Sequence, residues 1–117
     1  MKNKSLIYIV IVVPVIIAIV YCIVKWYTSP GEYDEFAQCL SEKGVKMYGT
    51  DWCSYCQLQK KKFGKSFKYI DFINCDTNKA ECDDAGVKGY PTWIINNQIY
   101  SGSQSLEILS TLTECQL

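Results

Sequence analysis

Histidine and arginine are both absent from the 117 residues. Without histidine there is no His pair for a zinc site, and no second Cys-x-x-Cys completes a zinc ribbon. Arginine's absence, with a net charge of −3 over residues 31–117, gives no reason to expect nucleic acid. No metal and no cofactor is implied. There is also no internal repeat. Charge is missing from one whole segment, Leu6 to Val24, a run of 19 residues.

That run spans about 28 Å as a helix, close to the hydrocarbon thickness of a bilayer. Pro14 sits inside it, which a membrane helix tolerates. Tyr8, Tyr21, Trp26 and Tyr27 lie near its ends, where aromatic rings favour the interface. A cleaved signal would have a core of about 7–15 residues and small residues after it. The expectation is an uncleaved anchor through residues 6–24. Residues 1–30, with three lysines and no acid, form the tip, anchor and linker. The positive-inside rule places the N-terminus in the cytoplasm and residues 31–117 outside it. Six of the seven cysteines fall in that outer part, which agrees with an oxidising compartment.

Residues 31–117 read as one small domain. Periodicity predicts helix over 32–43, strand over 45–48, helix over 57–63 and strand over 67–73. A loop and short helix follow over 76–87. Trp93-Ile94-Ile95, a turn at Asn96-Asn97-Gln98, and Ile99-Tyr100 predict a hairpin. Residues 105–113 predict a last helix. Strands alternating with helices imply an α/β fold, a mixed sheet covered on both faces.

The sequence Asp51-Trp52-Cys53-Ser54-Tyr55-Cys56 lies where a strand ends and a helix begins. Unpaired N–H groups and the helix dipole favour a thiolate at Cys53, the attacking species in thiol–disulfide exchange. Cys56, one turn on, is then the resolving thiol. Trp52 offers an apolar surface to a peptide. A metal site and a static staple are the alternatives, though so tight a disulfide ring is strained and readily reduced.

A second motif, Gly89-Tyr90-Pro91-Thr92-Trp93, follows Cys56 by about 35 residues. With WCxxC it resembles the thioredoxin superfamily. The resemblance implies that Pro91 is a cis-proline facing the cysteine pair and Tyr90 a substrate-facing residue. More narrowly, YGTDWCSYCQLQKKKFG, INC…EC, AGVKGYPTW and SGSQSLEIL are similar to the thioredoxin-like domain of bacterial vitamin K epoxide reductase homologues. In those proteins a membrane quinone reductase oxidises the thioredoxin-like domain, which oxidises secreted proteins. With one span here, the resemblance implies that the reductase is a separate chain. It also implies a structural pair at Cys75 and Cys82, with a second redox relay as the alternative. It supports a Cys39–Cys115 pair less directly; such a bond would close a loop of about 75 residues, worth on the order of 4 kcal/mol. Cys22 remains as apolar filler, a palmitoylation site or a link between chains.

The chain departs from thioredoxin in one respect. The buried acid expected six residues before the first cysteine is replaced by Met47, leaving Asp51 as the nearer acid. Ser54-Tyr55 cannot supply a positive charge to the thiolate. Lys60-Lys61-Lys62 read as a solvated face, or as a contact for anionic lipid or an acidic partner. Tyr48, Tyr55 and Tyr90 are expected around the active thiol. The sequence as a whole predicts a thioredoxin-like, membrane-anchored thiol–disulfide oxidoreductase acting on exported proteins with thiols. An extracytoplasmic reductase or isomerase, and a non-catalytic binding module, are the alternatives.

Overall fold

Helix α1 runs from Lys2 to Thr28 in the computed structural model, which describes residues 2–117. It is long and apolar enough to cross a membrane, and none of its residues is buried by the rest of the chain. Pro14 lies within it. Thr28 and Ser29 hydroxyls bond back to the Val24 and Trp26 carbonyls and close its last turn.

The remaining elements are α2 (Asp34–Glu42), β1 (Lys46–Gly49), α3 (Ser54–Phe63), β2 (Asp71–Asn74), α4 (Lys79–Asp84), β3 (Thr92–Ile95), β4 (Gln98–Ser101) and α5 (Leu106–Thr113). The strand order is β2-β1-β3-β4. β1 and β2 are parallel, while β3 runs antiparallel to β1 and to β4. The fold is thioredoxin-like, a mixed sheet with helices packed on it.

Strand alternation builds two cores. Met47, Trp93 and Ile95 point to one face and meet Phe36 and Leu40 of α2, Cys56 and Phe63 of α3, and Leu106 and Leu109 of α5. Tyr48, Ile73 and Ile94 point to the other face and meet Cys75, Cys82, Ala85 and Val87. The second cluster is small and lies under α4.

One strand is shorter than its sequence pattern suggests. Residues 64–69 form a 3-10 helix, and β2 starts only at Asp71. Ser66 is fully buried and its hydroxyl accepts from the Tyr33 N–H at 2.9 Å. Phe67 stacks against Phe63 and Phe72. These tertiary contacts override the local alternation. The hairpin turn is confined to Asn96 and Asn97, both at positive φ, and Gln98 already belongs to β4. Asparagine tolerates that region and suits a two-residue turn.

Candidate functional site

Gly49 ends β1 and Ser54 starts α3. The four residues between place Cys53 at the N-cap of α3. Its sulfur accepts the Cys56 N–H at 3.2 Å. One orphan donor of the helix is therefore turned on this sulfur, which stands where a capping oxygen would. Cys53 is 8% exposed and Cys56 is fully buried; both are free thiols.

The two thiols differ in surroundings. Burial, the dominant cause, pushes the Cys56 thiol up from about 9 to about 12, and the contact with Cys53 adds to it. The Thr50 backbone and the Lys60 charge act in the opposite direction. Cys56 packs directly on Gly49. A Cβ built on that glycine would lie 2.6 Å from the Cys56 Sγ and 3.2 Å from Phe72 Cε2. A glycine at a strand end marks such an approach of neighbouring atoms.

Two of the residues expected on the substrate side meet each other. Trp52 is 68% exposed, and its ring meets Tyr90 edge-on with centroids 6.1 Å apart. Trp52 Nε1 donates to Asp76 Oδ2 at 2.9 Å, which fixes the indole. The Tyr90–Pro91 peptide bond is cis. Pro91 is buried, and its carbonyl accepts from Gly102 N–H at 2.7 Å. Thr92 Oγ1 donates to the Gly89 carbonyl and closes the turn before β3. Tyr55 and Leu58 of α3 are also exposed. Tyr48 departs from the expected ring of tyrosines. Next to Met47 on β1, it points through the sheet and packs with the Cys75 and Cys82 side.

Cys75 and Cys82 are joined, with Cα atoms 5.8 Å apart, and Cys39 is joined to Cys115 at 5.9 Å. The first bond ties the end of β2 to α4; the second ties α2 to the chain after α5. Cys22 is a free, exposed thiol on α1. Among the described residues no group of three or more His, Cys, Asp or Glu is placed to hold a metal ion.

Three side chains on α3 carry more than their sequence context suggested. Gln59 is fully buried, and its Oε1 accepts from Trp93 Nε1, Ser103 Oγ and the Gln104 N–H at 3.3, 3.1 and 2.7 Å. It pins the active helix to β3 and to the loop after β4. No compositional signal marks it; its place on the inward face of α3, with Cys56 and Phe63, is the only clue. Lys61 and Lys62 are exposed, as a solvated face requires, while Lys60 is half-buried. Lys62 donates to Ser103 Oγ and the Gln104 carbonyl at 3.0 Å each. Lys60 reaches Asp51 at 3.0 Å.

A free cysteine pair at the head of a helix and a buried cis-proline turn, linked by the Trp52–Tyr90 ring contact, stand in a thioredoxin-like fold. Sequence comparison agrees with that class. The chain is 37% identical over 86 residues to a thiol-disulfide oxidoreductase of Arabidopsis thaliana, LTO1, across 66% of this chain and 23% of that protein. It is 34% identical over 96 residues to a thioredoxin domain-containing protein 5 homolog of Drosophila melanogaster, across 69% of this chain and 23% of that protein. The chain thus spans about a quarter of the length of these curated relatives. No protein-family model matches it. Among solved structures, a thioredoxin of Fasciola hepatica is 21% identical at a TM-score of 0.46, covering 66% of this chain and 88% of that one. A mutant thioredoxin of Halobacterium salinarum is 23% identical at 0.46, covering 71% and 85%.

Proposed function

We propose that this chain is a membrane-anchored thiol–disulfide oxidoreductase that exchanges disulfides with exported proteins. Cys53 is the sulfur that attacks or is attacked, and Cys56 resolves the mixed disulfide. One observation carries the reading. The sulfur at the helix head borders the surface and accepts the Cys56 N–H, while the second sulfur is fully buried and held as a thiol. That division suits a two-step exchange, in which one thiol meets substrate and the other acts only within the protein. Trp52 and Tyr90 form the exposed apolar rim against which an extended substrate would lie, with the buried Pro91 next to Tyr90 in the chain. Similarity to a thiol-disulfide oxidoreductase supports the same chemistry.

The direction proposed is oxidation of substrate thiols. Helix α1 would anchor the chain, with its N-terminus in the cytoplasm and residues 31–117 on the oxidising side. Two internal disulfides are consistent with that side. Re-oxidation would come from a separate membrane quinone reductase of the vitamin K epoxide reductase type. The reduction potential tests direction. Equilibrated against glutathione, the full chain should lie well above the value of about −270 mV typical of thioredoxin. A potential at or below it would make the chain a reductant. Protease added to spheroplasts should remove residues 31–117; protection until lysis would overturn the orientation.

A further inference from the structure

The strand position behind the cysteine pair is filled by Met47, fully buried in the core that holds Cys56. The resolving thiol nevertheless has to lose its proton. A charge that helps must lie close to its sulfur without being solvated away.

Lys60 meets both conditions. It follows Cys56 by four residues and so sits one turn along the same side of α3. Helical side chains lean toward the preceding turn, which directs Lys60 back toward Cys56. Its Nζ lies 4.1 Å from the centroid of the Phe72 ring and 5.4 Å from that of Phe67. The same Phe72 ring and the Cys56 sulfur both border the space over Gly49. Asp51 holds the ammonium at 3.0 Å through Oδ1, while its Oδ2 accepts from Asn74 Nδ2 at 2.9 Å. The Lys60 side chain is 28% exposed and Asp51 is 71% exposed. The carboxylate is thus the solvated partner, and the ammonium rests on aromatic carbon. The charged or titratable groups acting on Cys56 are Cys53 at the helix head and Lys60 on α3. Asp51 bears on it through Lys60, and Gly49 and Phe72 from the two strands, with Thr50 just after β1, carry no charge.

We propose that Lys60 is the positioning residue of the resolving step, its ammonium stabilising the Cys56 thiolate as that thiolate forms. This rests on the dithiol reading. In a mixed disulfide between Cys53 and a substrate sulfur, Cys56 gives its proton to a base in solvent. Its sulfur then bonds to Cys53 Sγ as the Cys53–substrate bond breaks. The electron pair leaves on the substrate sulfur, so the substrate disulfide is reduced and the two protein thiols are oxidised. In the opposite direction Cys56 is the leaving thiolate, and the same ammonium stabilises it.

The test uses the reduced full chain in detergent, mixed rapidly with glutathione disulfide between pH 5 and 9. Formation of the Cys53–glutathione adduct and release of the second glutathione are followed separately. Lys60→Met keeps an apolar stem on Phe72 and removes the charge. Adduct formation should stay within about twofold, while release at pH 7 slows on the order of 3- to 10-fold. The release profile should move to higher pH, the deficit should narrow as pH rises, and Lys60→Arg should restore most of the rate. A Lys60→Met release profile superimposed on that of the unaltered chain would overturn the role of Lys60 alone. An unaltered chain that forms no adduct, or never releases the second glutathione, would overturn the dithiol reading beneath it.

Discussion

Two cysteine pairs hang from the ends of neighbouring strands, and only one is bonded. β1 ends at Gly49 and β2 at Asn74, which are partners in register, and the Cys75 N–H donates to the Gly49 carbonyl at 2.8 Å. Each strand leads through a loop into a helix. After β1, Cys53 caps α3 and Cys56 lies in its first turn. After β2, Cys75 precedes the loop and Cys82 lies inside α4, seven residues on. The pairs also face opposite sides of the sheet, one with Met47 and one with Tyr48. Cys53 takes up a helix N–H as a free thiol; the Cys75 sulfur is held in its bond to Cys82. Where each cysteine falls relative to a helix start, rather than the number of cysteines, separates a site for exchange from a brace.

The sharpest break of that comparison is by substitution of single sulfurs. Cys53→Ala should abolish disulfide exchange, by at least about 100-fold, because no other sulfur occupies a helix head. Cys56→Ala should leave Cys53 able to form adducts that persist, visible as disulfide-linked species on non-reducing gels. Replacing Cys75 and Cys82 together by serine should retain most of the exchange. Adducts trapped by Cys53→Ala instead would reverse the two roles.

The two braces should differ in stability by their loop lengths. Cys39–Cys115 spans 76 residues of sequence and Cys75–Cys82 spans 7. Loop-closure entropy then assigns about 4.5 kcal/mol to the first and about 2.5 kcal/mol to the second. Denaturant unfolding of the two double-serine variants should preserve that order. Equal losses would show that enthalpy within the folded state, and not chain entropy, sets their worth.

Much of this was readable in advance, for reasons that particular residues make plain. The apolar run Trp93-Ile94-Ile95 before Asn96-Asn97 and the inward stripe Leu106, Leu109, Leu112 are local patterns, and they predicted the β3–β4 hairpin and α5. The pair Cys53/Cys56 was readable because three-residue spacing at a strand–helix junction has a local meaning. Lys60, Gln59 and Tyr48 were misread or passed over because their partners lie far along the chain: Phe72, Trp93 and Ile73. The strand predicted over 67–73 begins only at Asp71, because the 3-10 turn over Gly64–Tyr69 is held by a bond from the Tyr33 N–H to Ser66 that lies 33 residues away in sequence. Periodicity reports which face is buried, not what it is buried against.

The pairs should also differ in their response to alkali. The Cys56 thiol is raised from about 9 to about 12, chiefly by burial. A folded state that holds a proton more tightly than the unfolded state loses stability as pH rises. This contribution is whole below about pH 9 and is lost as pH climbs toward about 12. Bonded Cys75 and Cys82 do not titrate. Tyr48 is also raised, chiefly by burial, and adds an alkaline loss whatever the state of the pair. Thermal melts at rising pH should therefore show a steeper decline for the dithiol form than for the form oxidised at Cys53–Cys56. Parallel declines would assign the alkaline loss to groups other than Cys56.

Gly49 lets the two sides be tested at one atom. Gly49→Ala introduces a methyl group that must displace the Cys56 sulfur or the Phe72 ring. Overpacking of this kind costs about 1–3 kcal/mol. The same strand residue carries the carbonyl that accepts from Cys75, and that bond does not depend on a side chain. Release of the resolving step should slow more than adduct formation at Cys53. Equal slowing of both would show that the methyl group shifts the whole helix head.

The smallest effect concerns a bond that joins the two regions directly. Trp52 belongs to the loop before α3 and Asp76 to the loop closed by Cys75–Cys82, and Nε1 meets Oδ2 at 2.9 Å. Asp76 is itself fixed, since its N–H donates to Asn74 Oδ1 at 2.9 Å. The brace thus holds a carboxylate in place, and the carboxylate holds the indole beside Tyr90. Trp52→Phe keeps a ring against Tyr90 and deletes only the donor. A hydrogen bond to a charged group can contribute up to about 3 kcal/mol, but solvent competes here, and about 0.5–1 kcal/mol is the reasonable scale. Cutting Cys75–Cys82 should loosen Asp76 and remove most of that contribution beforehand. Trp52→Phe should accordingly slow adduct formation about 2- to 4-fold in the intact chain and less than about 1.5-fold in the double-serine background. Strict additivity of the two changes would mean that the loops act independently. The static pair would then brace its own corner of the sheet and contribute nothing to how the reactive pair presents its rim to substrate.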